Sequence, residues 1–159
     1  MKKRLIVTPE RCINCRSCEV ACSFTHAPKP NSPAISRIRV YPFSEERNVP
    51  VTCLQCEEAA CMMVCPTGAL SRNPETLAIE YAPEKCIHCK SCVYACPFGN
   101  CHYDEAYNQV AKCDLCGGDP ACAKFCPSKA LVWDTQPPIG KIDKDAVPRM
   151  QIKFTLPSP

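Results

Sequence analysis

Four groups of four cysteines run through this chain of 159 residues, and their spacing constrains the fold more than any other feature. We number the groups motif 1 to motif 4. They comprise, in order, Cys12, Cys15, Cys18 and Cys22; Cys53, Cys56, Cys61 and Cys65; Cys86, Cys89, Cys92 and Cys96; and Cys113, Cys116, Cys122 and Cys126. Three residues always separate the last two cysteines, whereas the gap before the third holds two, four, two and five residues in turn. Motifs 1 and 3 are therefore of one type, and motifs 2 and 4 are of another.

Similarity between the motifs extends beyond the cysteines. Residues 9–22 and 83–96 read PERCINCRSCEVAC and PEKCIHCKSCVYAC, which are identical at nine of fourteen positions without a gap. Motifs 2 and 4 lie in VTCLQCEEAACMMVCPTGAL and AKCDLCGGDPACAKFCPSKAL, which align with one inserted residue. The chain is therefore interpreted as two copies of a unit that contains two motifs.

Composition leaves little material for an ordinary apolar core. The chain has 17 cysteines and 17 prolines, and without the cysteines its hydrophobic share falls to roughly a third, below the usual globular value. Cysteine this dense indicates a disulfide scaffold or a metalloprotein, depending on the compartment. No secretory apolar region and no run of 18 apolar residues is present, so we expect a cytoplasmic protein with reduced thiols and no membrane span. Export while bound to a partner remains an exception.

Charge and glycine content argue against several other functions. The formal charge of +3 counts every cysteine as neutral. If sixteen of the cysteines held four metal clusters, each with a charge of about −2 including its thiolates, the net charge would be roughly −5. Nucleic-acid binding then has no compositional support. The five glycines form no phosphate-binding loop, and no pairing of nucleophile and base is evident. We expect a chain that moves electrons and performs no substrate chemistry.

The spacing of motifs 1 and 3 predicts iron-sulfur clusters. Three cysteines at successive intervals of three residues fold a short loop around a small object. The fourth lies about one helical turn further on, and in the bacterial Cys-x2-Cys-x2-Cys-x3-Cys-Pro motif it binds the other cluster of a pair. Zinc is the main alternative, but it pairs two Cys-x2-Cys units across a longer gap. The sequence favours 4Fe-4S clusters over zinc, and over disulfides.

Motif 1 alone lacks a proline after its last cysteine, since Ser23 follows Cys22. Proline fixes φ and has no N–H, so it turns the chain away from the site in the other three motifs. We expect the chain after Cys22 to run on toward His26 and into an irregular connection over residues 23–36.

Between the motifs the patterns are typical of short strands. Residues 5–7 and 37–41 carry apolar or alternating side chains, and residues 69–81 read as two strands around an Asn-Pro turn. Residues 101–113 predict a hairpin, and ALVW at 130–133 begins another strand. No helical periodicity of ten or more residues is present, so we expect short helices beside the cysteines.

The sequence resembles the four-cluster, ferredoxin-like electron-transfer subunits of molybdenum and tungsten oxidoreductases, hydrogenases and carbon monoxide dehydrogenases. The resemblance covers residues 4–135 and is carried by CINCRSCEVAC with His26, CLQCEEAACMMVCPTGAL, CIHCKSCVYACPFG and KCDLCGGDPACAKFCPSKAL. It implies an α+β, loop-rich fold of two interleaved bacterial two-cluster ferredoxin-like domains, with short strands, hairpins and helices. The expected domains are 1–50 with 100–136, and 51–99, followed by a proline-rich tail, 137–159. The alternating apolar residues of the tail suit either an edge strand or docking on a partner.

In that family, motifs 1 and 4 share one pair of clusters and motifs 2 and 3 share the other. The resemblance therefore implies four 4Fe-4S clusters at four sites, named A to D, which follow one another in space. Their expected ligands are Cys12, Cys15, Cys18 and Cys126 at site A; Cys22, Cys113, Cys116 and Cys122 at site B; Cys53, Cys56, Cys61 and Cys96 at site C; and Cys65, Cys86, Cys89 and Cys92 at site D.

The resemblance also implies partners. The chain looks most like the small polyferredoxin subunit of bacterial tungsten aldehyde oxidoreductases, which relays electrons between a large pterin-containing catalytic subunit and an acceptor or donor. A flavin- or NAD-binding subunit is a further candidate partner, and self-association would extend the series of clusters. The alternatives are a freely diffusing polyferredoxin, or the electron-transfer subunit of a hydrogenase or of a formate or carbon monoxide dehydrogenase.

Several residues near the motifs are interpreted first as structural. Cys101 lies outside the four groups and is expected to be a small buried hydrophobe rather than a redox thiol. His26 is expected to cap or pack the loop after Cys22, and His88 to have a structural or supporting role beside the ligands of its motif. Trp133 is expected to pack in a core or an interface. A solvated basic face is favoured over tuning of cluster potentials for Arg16, Lys90, Lys112 and Lys124.

Overall fold

The computed structural model describes residues 3–44 and 47–135, which form four short helices and eight short strands. The helices are α1 (Ser17–Thr25), α2 (Ala60–Met63), α3 (Ser91–Ala95) and α4 (Ala121–Lys124). The strands are β1 (Lys3–Val7), β2 (Ile38–Ser44), β3 (Arg47–Thr52), β4 (Leu70–Arg72), β5 (Ile79–Tyr81), β6 (Cys101–Asp104), β7 (Gln109–Lys112) and β8 (Leu131–Thr135). Three turns of 3-10 helix lie at Pro9–Arg11, Pro83–Lys85 and Leu115–Gly118.

This architecture confirms the predicted loop-rich α+β fold with short helices beside the cysteines. The longest described helix, α1, has nine residues, and within the described ranges no helix is long and apolar enough to cross a bilayer. The strand predicted from the alternating residues of the tail lies outside the described part of the chain.

The strands form four separate two-stranded antiparallel ladders, β1 with β8, β2 with β3, β4 with β5, and β6 with β7. Within residues 3–44 and 47–135, every strand predicted from the sequence is present. β3 was not predicted, because Pro50 interrupts its pattern and the strand is recognisable only through its pairing with β2, where Val40 lies opposite Pro50. Proline is tolerated there because the ladder has only two strands.

The β1–β8 ladder joins the two ends of the described chain. It pairs Leu5 with Trp133 and Val7 with Leu131, and the predicted packing role of Trp133 is confirmed by its place against the adjoining core. Motifs 1 and 4 are thereby held side by side, although about 90 residues separate them in sequence, and α1 packs against α4.

Two small cores hold the fold together. The first comprises Cys18, Cys22, Ile38, Val40, Cys122, Ala123, Cys126, Ala130 and Leu131. The second comprises Ala59, Cys61, Leu70, Ile79, Cys92, Cys101 and Val110. Seven of these sixteen buried residues are cysteines, so thiols fill much of the interior that aliphatic side chains fill in an ordinary domain.

The chain after motif 1 continues as predicted from the missing proline. Helix α1 extends to Thr25, three residues beyond Cys22, whereas α3 ends at Ala95, just before the Cys-Pro pair of motif 3. The Ser23 hydroxyl donates to the Ala34 carbonyl and fixes the loop that follows. The additional helical turn brings His26 to the C-terminal cap, where its N–H donates to the Cys22 carbonyl at 3.2 Å.

Candidate metal centres

Each cysteine loop contains a left-handed residue two positions after its first cysteine. The φ angles are 56° at Asn14, 51° at Gln55, 58° at His88 and 55° at Leu115. The left-handed conformation costs a residue with a side chain roughly 1–2 kcal/mol. When right-handed and left-handed residues alternate, however, successive N–H groups point toward one place and form an anion-binding concavity, called a nest, of the kind found around iron-sulfur clusters.

Some of these N–H groups already point at sulfur. The His88 N–H donates to Cys86 Sγ at 3.4 Å, and the Gln55 N–H donates to Cys53 Sγ at 3.5 Å. Beyond the loops, the N–H groups of Asn100 and Arg37 donate to the sulfurs of Cys96 and Cys22, each at 3.3 Å. The backbone is thus arranged to stabilise negative charge on the thiols.

Three cavities are each lined by four motif cysteines drawn from two motifs, and one of them, the cavity of Cys53, is also lined by Cys101. Their volumes, counted as all space not filled by protein atoms and including the open mouth, are about 280, 370 and 330 Å³. The cysteine sets are Cys12, Cys15, Cys18 and Cys126; Cys53, Cys56, Cys61 and Cys96; and Cys65, Cys86, Cys89 and Cys92. These are the groupings expected for sites A, C and D.

The cysteines of site B also lie together. Burial raises the pKa of the Cys122 thiol, and negative charge on Cys113, Cys22 and Cys116 raises it further. His26 lies between two of these sulfurs, with Nδ1 3.7 Å from Cys22 Sγ and Nε2 4.0 Å from Cys116 Sγ. The structure therefore brings a cysteine of motif 1 to the three cysteines that open motif 4.

The effects of thiols on one another's pKa values show which sites are neighbours. Negative charge on Cys18 of site A raises the pKa of Cys122 of site B. Negative charge on Cys53 of site C likewise raises the pKa of Cys113 of site B. Between sites C and D lies Cys101, which hydrogen-bonds Cys92 of site D and is acted on by Cys61 of site C. Cysteines of sites A and B, of sites B and C, and of sites C and D thus lie near one another.

The donor set fits 4Fe-4S clusters. Each site offers four soft sulfur ligands, which favour iron-sulfur clusters, zinc or copper(I) over hard cations. At sites A, C and D the sulfurs surround open space, and the nests supply N–H groups for bridging sulfide as well as for thiolate.

Comparison with known proteins decides between these metals. A family described as "4Fe-4S dicluster domain" matches residues 45–136, more than half of the chain, and one described as "4Fe-4S binding domain" matches residues 9–25. The chain belongs to the 4Fe-4S dicluster domain family. Membership confirms that this chain binds 4Fe-4S clusters.

Individual relatives agree with this assignment. The polyferredoxin-like subunit of aliphatic sulfonate oxidoreductase from Pyrococcus furiosus is 43% identical over 122 residues, which cover 77% of this chain and 70% of the relative. The electron transport protein HydN of Escherichia coli (strain K12) is 34% identical over 158 residues, covering 83% and 87%. A solved structure, the active-site complex BamBC of benzoyl-coenzyme A reductase as isolated, has a chain 25% identical to this one, with a TM-score of 0.48 and coverage of 90% and 84%. The two relatives are named as a polyferredoxin-like subunit and an electron transport protein, in agreement with the predicted role in electron transfer.

A network of polar side chains surrounds site B. His26 Nε2 lies 3.1 Å from Asp114 Oδ1, and Arg37 Nη1 donates to Asp114 Oδ2 at 2.8 Å. Burial alone would lower the pKa of His26, but hydrogen bonds with Asp114, Cys116 and Cys22 outweigh it and raise that pKa to about 12. The expected capping role of His26 is confirmed, and the network adds a contact to site B that the sequence did not predict.

Asp114 was missed in the sequence. Burial would raise the pKa of its carboxyl, but His26 and Arg37 hold that pKa below the usual range. Its carboxylate also accepts the Cys116 N–H at 2.9 Å and so shapes the loop of motif 4. The only available signal was its position directly after the first cysteine of the motif.

Lys112 corrects the interpretation of the basic residues as a solvated face. Its side chain is buried, with 2% exposure, and its Nζ donates to Cys53 Sγ at 3.0 Å. The interpretation holds for Lys124, which is exposed and forms an ion pair with Asp119. Arg16 is exposed and Lys90 forms an ion pair with Glu105, but these two side chains also line the cavities of sites A and D.

Cys101 and His88 have the structural roles expected of them. Cys101 is 2% exposed in the second core, and its thiol also donates to Cys92, which lowers the pKa of Cys92 to about 7. His88 Nδ1 lies 3.1 Å from the Tyr103 hydroxyl. Neither residue replaces a thiol of the four sites.

Proposed function

We propose that this chain holds four 4Fe-4S clusters at sites A to D and relays electrons between a catalytic oxidoreductase subunit and a separate donor or acceptor. The observation that carries the proposal is the succession of four cysteine sets, three of which line cavities with thiols from two motifs. All sixteen motif cysteines are the proposed ligands. Bound clusters supply one-electron redox chemistry at fixed positions, and the chain sets the positions.

Exposure of the thiols supports sites A and D as the two ends of the relay. Cys15 at site A and Cys89 at site D are exposed, whereas sites B and C contain no exposed cysteine. Each exposed thiol lies two residues from an exposed isoleucine, Ile13 or Ile87. Apolar surface beside a terminal cluster suits close docking of a redox partner, which excludes water from the contact.

For the partner we propose a large pterin-containing tungsten or molybdenum subunit, with aldehyde oxidation as the best candidate activity. The relative from Pyrococcus furiosus, named as a subunit of an oxidoreductase, supports a catalytic partner in general. A flavin- or NAD-binding subunit or a second copy of this chain would occupy the other end. Seventeen free cysteines suit a reducing compartment, and we propose the cytoplasm.

We further propose a change to the division into domains. The β6–β7 hairpin contributes Cys101 and Val110 to the second core, where they pack with Leu70. The two units would then be residues up to 52 with those from 113 onward, and residues 53–112. The proline-rich tail, 137–159, is proposed to dock on the partner.

Anaerobic purification from the native host tests the proposal. We expect about 16 iron and 16 sulfide per chain, together with a large subunit that contains a pterin and tungsten or molybdenum. Zinc in place of iron would contradict the cluster assignment. A protein that purifies alone at full yield would instead be a freely diffusing polyferredoxin.

Two variants test partner binding and iron content separately. Deletion of residues 137–159 should reduce recovery of the large subunit while the iron content is unchanged, because the tail contains no cysteine. Cys101→Ala serves as the matched control for cysteine loss and should retain about 16 iron, since Cys101 lies outside the four sets.

A further inference from the structure

Lys112 is a buried cation whose counter-charge is not a carboxylate. It ends strand β7 with 2% exposure, and its Nζ donates to Cys53 Sγ at 3.0 Å. The ion pairs within residues 3–44 and 47–135 involve other cations. Because burial of an uncompensated ammonium costs several kcal/mol, a negative group must lie close to Nζ.

The groups around Lys112 identify that negative charge. Lys112 lines the cavity of site C together with Cys53, Cys56, Cys61 and Cys96. Its charge also lowers the pKa of Cys61, although burial is the larger influence there and raises it. The ammonium therefore faces the site C thiols, and their negative charge when ligated is its natural counter-charge.

The internal repeat is broken at this position. Lys112 precedes Cys113 in motif 4, and the residue that precedes Cys53 in motif 2 is Thr52. Lys112 reaches across to motif 2 and donates to Cys53, whereas the buried Thr52 hydroxyl has no hydrogen-bond partner within the described residues. The two equivalent positions, directly before the first cysteine of motifs 2 and 4, thus carry a neutral threonine and a lysine.

We infer that Lys112 is the fixed counter-ion of site C and raises the reduction potential of the cluster held there. Reduction adds one negative charge to the site, and a buried cation in contact with a ligand sulfur stabilises the reduced form more than the oxidised form. The inference rests on the proposed assignment of a cluster to site C.

A redox titration of the reconstituted full chain, followed by electron paramagnetic resonance with dithionite as reductant, tests the inference. The signal lost in Cys56→Ala identifies site C. In Lys112→Met we expect that signal to move to lower potential, with at least a tenfold higher ratio of oxidised to reduced cluster at fixed potential, about 59 mV for one electron. Lys112→Arg should remain within threefold of wild type.

Lys124→Met is the matched control, because it removes the same charge from a side chain that is 56% exposed and paired with Asp119. It should leave the site C potential unchanged. An unchanged potential in Lys112→Met, or an equal shift in Lys124→Met, would overturn the inference.

Loss of the cluster is also informative. If Lys112→Met binds about four fewer iron atoms and Lys112→Arg restores them, the positive charge is needed to hold site C, as inferred. If both variants lose the iron, the role of Lys112 is one of shape, and the inference fails. Failure of the proposed function is distinct, since it appears as a low iron content in the wild-type chain.

Discussion

Cys22 belongs to motif 1 in sequence and to site B in space. Helix α1 carries Cys18 and Cys22 about one turn apart, and the two thiols lie at different sites because α1 packs against α4. His26, one turn further on, then contacts both Cys22 and Cys116. A single helical turn thus joins two adjacent sites.

Substitution of Cys22 tests this arrangement. Cys22→Ala should lose the cluster of site B and retain that of site A, because the substitution removes one thiol of site B and none of site A. Iron analysis should show about four fewer atoms per chain, and paramagnetic resonance should show which signal is lost. Loss of the site A signal with retention of site B would contradict the assignment, and Cys101→Ala again serves as the control.

Among the elements, α1 and α3 show the effect of one residue on two repeated segments. Both helices start at a serine one residue before the third cysteine of their motif, and both follow a left-handed residue, Arg16 or Lys90. They differ at the end, since α3 stops before Pro97 and α1 continues past Ser23. The longer helix alone reaches the neighbouring site with a histidine.

Ser23→Pro should shorten α1 to the length of its counterpart. Proline at position 23 has no N–H and its ring clashes with the carbonyl of residue 19, a cost of about 3 kcal/mol or more in free energy of unfolding. His26 should lose its contacts with Asp114 and the site B sulfurs. Chemical denaturation of the cluster-bound protein measures the stability, and the paramagnetic signal of site B reports the lost contacts.

Ser23→Ala is the control for the lost hydroxyl. It removes only the hydrogen bond to Ala34, for which we expect about 1 kcal/mol and an unchanged site B signal. Equal effects of alanine and proline would show that helix length is not the cause.

The molecule as a whole depends on its thiols for a core. Seven of the sixteen buried core residues are cysteines, and the four ladders have only two strands each, which are marginal on their own. Without a metal, thiolates held this close together repel one another. Negative charge on four other cysteines raises the pKa of Cys122, for example. Cluster binding and folding are therefore expected to be one process.

Anaerobic removal of iron with a chelator tests this coupling. Far-ultraviolet circular dichroism should show loss of most secondary structure, and addition of iron and sulfide under reducing conditions should restore it. The apo chain should show no cooperative thermal transition. A cluster-free protein that retains its spectrum and a sharp transition would show that the remaining apolar contacts suffice.

The sequence alone was enough to predict what depends on short-range spacing. Cysteines three residues apart must converge on one point, which predicted the type of cluster, and the absence of proline at Ser23 predicted the continuing chain. Alternating side chains predicted the strands with regular patterns. Among the strands of the described residues only β3 was missed, because Pro50 interrupts its pattern and the strand is recognised through its pairing with β2.

Only the tertiary structure decided which residues from distant segments meet. Asp114 joins His26 from 88 residues away, and Lys112 reaches Cys53 across 59 residues. Both contacts depend on the packing of segments that are far apart in sequence. A lysine in sequence gives no sign of whether its ammonium faces water or sulfur. The sequence determined that this chain is an iron-sulfur protein, whereas the packing of its two halves determined the charge around each site.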